Sequence, residues 1–150
     1  MKAALLDGNV LIALQWPAHE HHDAAHRWFR KMAGRGWATC PLTELAFVRI
    51  ISNPAFSADA LAPAAALSLL DANLGHPSHV FWADDLPVRL QIFDDLGQLD
   101  GHRQLTDLYL LALAKAHKGV LATFDAGLKR VSSGRLSNLV ECIPLSSRQD

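Results

Sequence analysis

Four carboxylates lie far apart in this chain, yet each stands where an apolar run ends or a helix begins. Asp7 closes Ala3-Ala4-Leu5-Leu6, and Glu44 follows Cys40-Pro41-Leu42-Thr43. Asp107 follows Leu105-Thr106 at the head of a long apolar helix, and Asp125 closes Val120 to Phe124. In an open α/β sheet, strand ends and the starts of the following helices converge on one crevice. Four negative groups there repel each other unless a divalent cation neutralises them. Metal-assisted hydrolysis of a phosphodiester is the chemistry this set fits best.

Each acid also has a plainer role open to it. Asp7 could cap the helix that starts near Val10, and Asp125 the one over Ala126 to Lys129. Glu44 and Asp107 each follow a Thr within a first helical turn, where a carboxylate suits the helix dipole. Two polar neighbours favour a site. Asn9, two residues beyond Asp7, can hydrogen-bond that carboxylate or a bound water, and Thr123 points to the same side of its strand as Asp125. Mg²⁺ and Mn²⁺ take oxygen ligands, usually one or two carboxylates with several waters. The same cation generates hydroxide at neutral pH and offsets charge on the phosphate. No Cys or Lys is placed as a covalent nucleophile, so direct attack by water is the mechanism expected.

The elements that must carry these residues alternate strand and helix. Ala3–Leu6 reads as a strand apolar on both faces, as in a parallel sheet. Val10–Gln15 starts a helix that stops before Trp16-Pro17. His22–Ala33 is amphipathic, with Ala25, Trp28, Phe29 and Met32 on one face and Arg27, Arg30 and Lys31 opposite. Trp37–Cys40 is the second strand, and Pro41 opens a helix that runs to Asn53-Pro54. Further helices are expected over Ala58–Leu74, Leu86–Leu96 and Gln104–His117. Strands are expected at His79–Trp82, Val120–Phe124 and Leu139–Ile143, with a turn at Asp100-Gly101. Parallel strands joined by right-handed helical crossovers make a three-layer α/β/α sandwich.

Four segments together resemble a known family. Leu5-Leu6-Asp7-Gly8-Asn9-Val10-Leu11, Cys40-Pro41-Leu42-Thr43-Glu44-Leu45, Thr106-Asp107-Leu108-Tyr109-Leu110 and Leu121-Ala122-Thr123-Phe124-Asp125 resemble, in this order, the PIN-domain ribonucleases, and among them the VapC toxins of bacterial toxin–antitoxin pairs. The resemblance implies that Asp7, Glu44, Asp107 and Asp125 are the acidic quartet and that Asp7 and Asp107 bind Mg²⁺ or Mn²⁺ directly. Asn9 and Thr123 match the auxiliary polar positions. It also implies a sheet of about five strands in the order 3-2-1-4-5, an RNA substrate, a homodimer and a cognate antitoxin that joins it in a hetero-oligomer. Gly8 departs from the larger residue common in related chains, which is expected to loosen the loop.

Other constellations carry less. His19-Glu20-His21-His22-Asp23 with His26 invites zinc, but no third ligand comes at HExxH-type spacing, so a polar helix start near the RNA path is preferred. Asp84 and Asp85 follow a strand and could extend the acidic site, but a cap on a helix with Pro87 in its first turn is preferred. In the implied strand order Cys40 and Cys142 lie three strands apart, roughly 14 Å, too far for a disulfide. Arg49 is free to pair with a crevice acid or with RNA. Arg27, Arg30, Lys31, Arg35, Lys115, Lys118, Lys129 and Arg130 could supply phosphate contacts or form a solvated face.

The totals bound these readings. At 150 residues one domain spanning 1–150 is expected. Half the residues are apolar and 19% are charged, which excludes a disordered chain. No apolar run reaches the ~20 residues of a membrane span. The short N-terminal run before Asp7 does not read as a signal peptide, so a cytoplasmic protein is expected. A net charge of −1 argues against non-specific coating of nucleic acid. Two rival functions remain. A receiver-type phosphoacceptor would need adjacent acids after strand one and a Lys after the last strand, whereas Gly8-Asn9 and Pro144 stand there. A catalytically silent scaffold that only binds a partner is opposed by the presence of all four acids.

Overall fold

The computed structural model describes residues 2–32, 34–88, 104–131 and 134–146. Five short strands, β1 (Ala4–Leu6), β2 (Trp37–Thr39), β3 (His79–Phe81), β4 (Val120–Thr123) and β5 (Val140–Cys142), form one sheet. The order is β3-β2-β1-β4-β5 and every pairing is parallel, as expected. Ala4 pairs with Trp37 on one side and Val120 on the other, so β1 is central.

Helices cover both faces. Ala4, Leu6, Trp37, Val120 and Ala122 pack on α1 (Gly8–Gln15), α2 (His22–Met32), α3 (Pro41–Ile51) and α4 (Pro63–Leu74). Leu5, Ala38 and Leu121 pack on α5 (Leu105–Ala116), on α6 (Ala126–Val131) through Leu128, and on a 3₁₀ helix (Gly134–Leu139) through Leu136. Alternate residues of the central strands therefore feed two separate cores, which is why these strands read as unbroken apolar runs.

Several boundaries differ from expectation for local reasons. α1 begins at Gly8, not near Val10, because the Asp7 carboxylate accepts a bond from the Gly8 amide at the helix start. α4 begins at Pro63, not Ala58. Proline sits readily in a first turn and disfavours helical geometry in the residue before it, so Ala62 is extended with ψ 148. Leu86 to Val88 are not helical, and the rest of the helix expected to Leu96, with the Asp100-Gly101 turn, lies outside the described residues. The 3₁₀ helix is an addition to the expected elements, and it takes up Leu139, the first residue expected in the last strand. Among the described residues no helix is long and apolar enough to cross a membrane.

Candidate acidic site

The site lies where β1 and β4 end side by side. The Asp7 amide donates to Ala122 O at 3.0 Å, which carries the β1–β4 ladder up to the carboxylate itself. Asp7 then splits its two oxygens. Oδ1 accepts from the Gly8 amide at 2.7 Å, and Oδ2 accepts from the Thr123 hydroxyl at 3.1 Å. Capping a helix and belonging to a crevice are thus both roles of this one side chain. Burial pushes Asp7 above its ordinary carboxylate value, against the pull of those two hydrogen bonds, and the Asp125 charge adds to the rise.

Thr123 joins the two strand-end acids. Its hydroxyl donates to Asp7 and accepts from the Asp125 amide at 3.1 Å. Asp125 also caps α6, with Oδ1 accepting from the Leu128 amide at 3.1 Å, so its cap role is real as well.

Asp107 enters from the first turn of α5. It is half-buried, and its pKa is raised from 3.8 to about 6, by burial first, then by the charges of Asp7 and Asp125. Acids on two strand ends thus bear on one at a helix start. Among the described residues no three His, Cys, Asp or Glu side chains stand close enough to hold a metal ion between them. An all-oxygen set of this kind still suits a hard cation, since Mg²⁺ keeps several waters and needs only one or two carboxylates.

Glu44 is engaged differently. Its Oε1 accepts from the Thr39 hydroxyl at 2.7 Å, and the charges acting on Asp7 and Asp107 come from within the aspartate trio. What brings α3 toward the site is Gly8. A Cβ there would stand 3.1 Å from the Ala46 Cβ, so the missing side chain lets the first turn of α1 approach α3 two residues from Glu44. Gly8 is buried within α1 and tightens this junction, where the sequence suggested a loosened loop. Asn9 is exposed in the same turn.

Asp84 acts as a cap. Its Oδ2 accepts from the Leu42 amide at 3.1 Å, capping α3 from the segment after β3. The sequence suggested a cap on its own helix, supplied by Asp85; the cap observed comes from Asp84 and serves α3. Burial above all, with the Asp84 charge adding, pushes the Cys40 thiol up to about 11, so it is no nucleophile at neutral pH. Cys40 and Cys142 are both free.

The histidine run has a structural use. His22 Nδ1 lies 2.7 Å from Ala13 O and His26 Nε2 lies 2.9 Å from Leu14 O, so α2 supplies partners for carbonyls in the last turn of α1. His21 packs against Phe124, its ring centre 4.9 Å away. Two of the basic residues are also spoken for. Arg35 grips Glu141 through Nη1, 2.8 Å from Oε1 and 3.0 Å from Oε2, and donates from Nε to Lys2 O at 2.9 Å. The Lys129 amine donates to Val140 O at 3.2 Å. Arg49 is exposed in the last turn of α3, and among the described residues it pairs with no crevice acid.

The profile of the PIN domain family matches residues 4–134. The chain is 46% identical over 133 residues to ribonuclease VapC39 of Mycobacterium tuberculosis, covering 89% of this chain and 96% of that one. The chain belongs to the PIN domain family, in its VapC branch. Ribonuclease VapC38 of the same organism is 42% identical over 142 residues, covering 95% of this chain and 99% of that protein. The fold is that of a chain in the crystal structure of VapBC2 from Rickettsia felis bound to a DNA fragment from their promoter. There the TM-score is 0.65 at 13% identity, over 95% of this chain and 99% of that one. The PIN sheet order expected from the sequence is the order observed.

Sequence reasoning missed Thr39, which donates to Glu44, His79, which meets the same hydroxyl, and Asp84 as the cap of α3. Thr39 left one signal, a hydroxyl at the end of an apolar strand five residues before Glu44. The register that brings His79 beside it leaves none.

Proposed function

We propose that this chain is an endoribonuclease that hydrolyses RNA phosphodiester bonds with a divalent cofactor, Mg²⁺ or Mn²⁺, and serves as the cytoplasmic toxin of a toxin–antitoxin pair. The observation that carries this reading is the convergence of Asp7 and Asp125 on the Thr123 hydroxyl at the ends of β1 and β4, with Asp107 near enough on α5 for their charges to raise its pKa. Neighbouring acids at a strand-end crevice are costly unless a cation neutralises them. The relatives named as VapC ribonucleases support the substrate class and the toxin role.

Asp7 and Asp107 would hold the cation, with Asp125 and Glu44 around it and Asn9 at the rim. When bound, it supplies a nucleophile from water at neutral pH and offsets charge on the scissile phosphate. The protein's own contribution is orientation. Gly8 and Thr123 fix both oxygens of Asp7 before any ligand arrives, so little reorganisation is left for the reaction. The protonated Cys40 thiol leaves direct attack by water as the route.

A cognate antitoxin partner, in a hetero-oligomer built on a homodimer, is part of the proposal. A partner Arg or Lys in the acidic crevice would supply the cation's charge and silence the site. The test is cleavage of RNA by the purified chain with Mg²⁺ or Mn²⁺, with excess EDTA, and with Asp7→Asn. Cleavage is expected only for the wild type with metal. Cleavage that persists in EDTA, or in a folded Asp7→Asn protein, would overturn the reading.

A further inference from the structure

Glu44 is held by two residues outside the acidic set. Thr39 is fully buried on β2, and its hydroxyl lies 2.7 Å from Glu44 Oε1 and 2.7 Å from His79 Nε2. A hydroxyl has one proton to donate, and an ionised carboxylate can only accept. Both contacts are hydrogen bonds at once only if the Thr39 proton goes to Glu44 and His79 Nε2 carries a hydrogen. The donors then run in one direction, from His79 Nε2–H to Thr39 Oγ1, and from Thr39 O–H to Glu44 Oε1.

We propose that His79 and Thr39 are positioning residues that fix the Glu44 carboxylate, and that the ring tautomer of His79 decides whether it is held. The fold keeps the ring in place. In the β2–β3 register His79 stands opposite Trp37, two residues from Thr39 on the same face, and its ring lies 4.6 Å from the Trp37 ring. Burial lowers the pKa of His79, so the ring is neutral at neutral pH and has one N–H, for which the Leu74 backbone carbonyl and the Thr39 hydroxyl compete. With that hydrogen on Nε2, Glu44 receives its bond. With it on Nδ1, Nε2 becomes an acceptor, the Thr39 hydroxyl turns toward it, and Oε1 loses its donor.

This rests on the reading of Glu44 as part of a ribonuclease site, and the experiment separates the two. Ring ¹⁵N NMR of the metal-free protein should show His79 protonated on Nε2. RNA cleavage with Mn²⁺ should show kcat reduced about ten- to a hundredfold in Thr39→Val, with KM little changed, as for loss of a charge-assisted bond. Thr39→Ser should retain activity. His79→Gln, whose amide nitrogen stands in for Nε2, should keep most of it, and His79→Asn, whose amide matches Nδ1, should not. A purely structural His79 would make Gln and Asn equally harmful. The relay is overturned by an Nδ1–H ring in the wild type, by equal loss in His79→Gln and His79→Asn, or by an unimpaired Thr39→Val beside an inactive Glu44→Gln. If Thr39→Val does not fold, the His79 pair and the wild-type spectrum decide. If Glu44→Gln itself cleaves at the wild-type rate, the placement of Glu44 in the site fails, and the relay with it.

Discussion

Removing the charge of Asp107 should strengthen the metal-free protein, although it removes a group proposed for catalysis. An acid whose folded-state pKa lies above its unfolded one favours the fold only while protonated. For Asp107 the penalty is absent below pH 3.8, grows between 3.8 and about 6, and is constant above that. The displacement from 3.8 to about 6 corresponds to at most about 3 kcal/mol. Asp107 is only half-buried, so solvent screening reduces this to about 1–2 kcal/mol. Losing a carboxylate in the first turn of α5 costs about 0.5 kcal/mol of helix-dipole interaction. The net expectation is that Asp107→Asn is more stable by about 1 kcal/mol at pH 7.5, or about 2–4 °C in Tm. At pH 4 that gain should vanish. Circular-dichroism melts of both proteins in EDTA at the two pH values measure this directly. Asp107→Asn melting below the wild type at pH 7.5, or a difference that does not change with pH, would refute the electrostatic account and leave Asp107 a structural residue.

Other expectations follow from single contacts. Mn²⁺ at a hundredfold excess over Kd should stabilise the wild type by about 2.7 kcal/mol, and Asp107→Asn should show little of that gain in the same melts. Gly119→Ala should cost about 1–3 kcal/mol in urea unfolding, because its Cβ would stand 2.6 Å from both Ala3 O and Trp82 Cη2. His22→Ala and His26→Ala should each cost about 0.5–1.5 kcal/mol by removing partners of α1 carbonyls. Neither should alter zinc retention, and stoichiometric zinc lost on these substitutions would reverse that view of the cluster.

The layered sheet was readable because β1 and β4 are apolar on both faces and Pro41 marks the start of α3, whereas Pro63, the start of α4, was passed over. Asp7 and Asp125 were readable as strand-end acids for the same reason. Their second role was open, and the structure shows that a cap and a crevice position coincide, since a helix that starts at a strand end places its cap in the crevice. What stayed hidden depends on partners that sequence pattern does not specify. His22 and His26 meet backbone carbonyls of another helix, and Asp84 meets a backbone amide 42 residues away. Arg35 and Lys129 were open to phosphate contact or to solvent because charge pattern alone does not reveal that a neighbouring strand supplies acceptors for them.

The bond between Thr123 and Asp7 joins residues 116 positions apart, across the register that sets Leu6 beside Ala122. Contacts so distant in sequence form late, since closing a long loop costs entropy before any contact repays it. A chain emerging from the ribosome exposes Asp7 and Glu44 well before β4 exists to bring the acids together. Until the fourth strand docks beside the first, the acids are scattered along an unfinished polypeptide and have no crevice to share. A nuclease built this way has no assembled acidic site until β4 is made, late in its own synthesis.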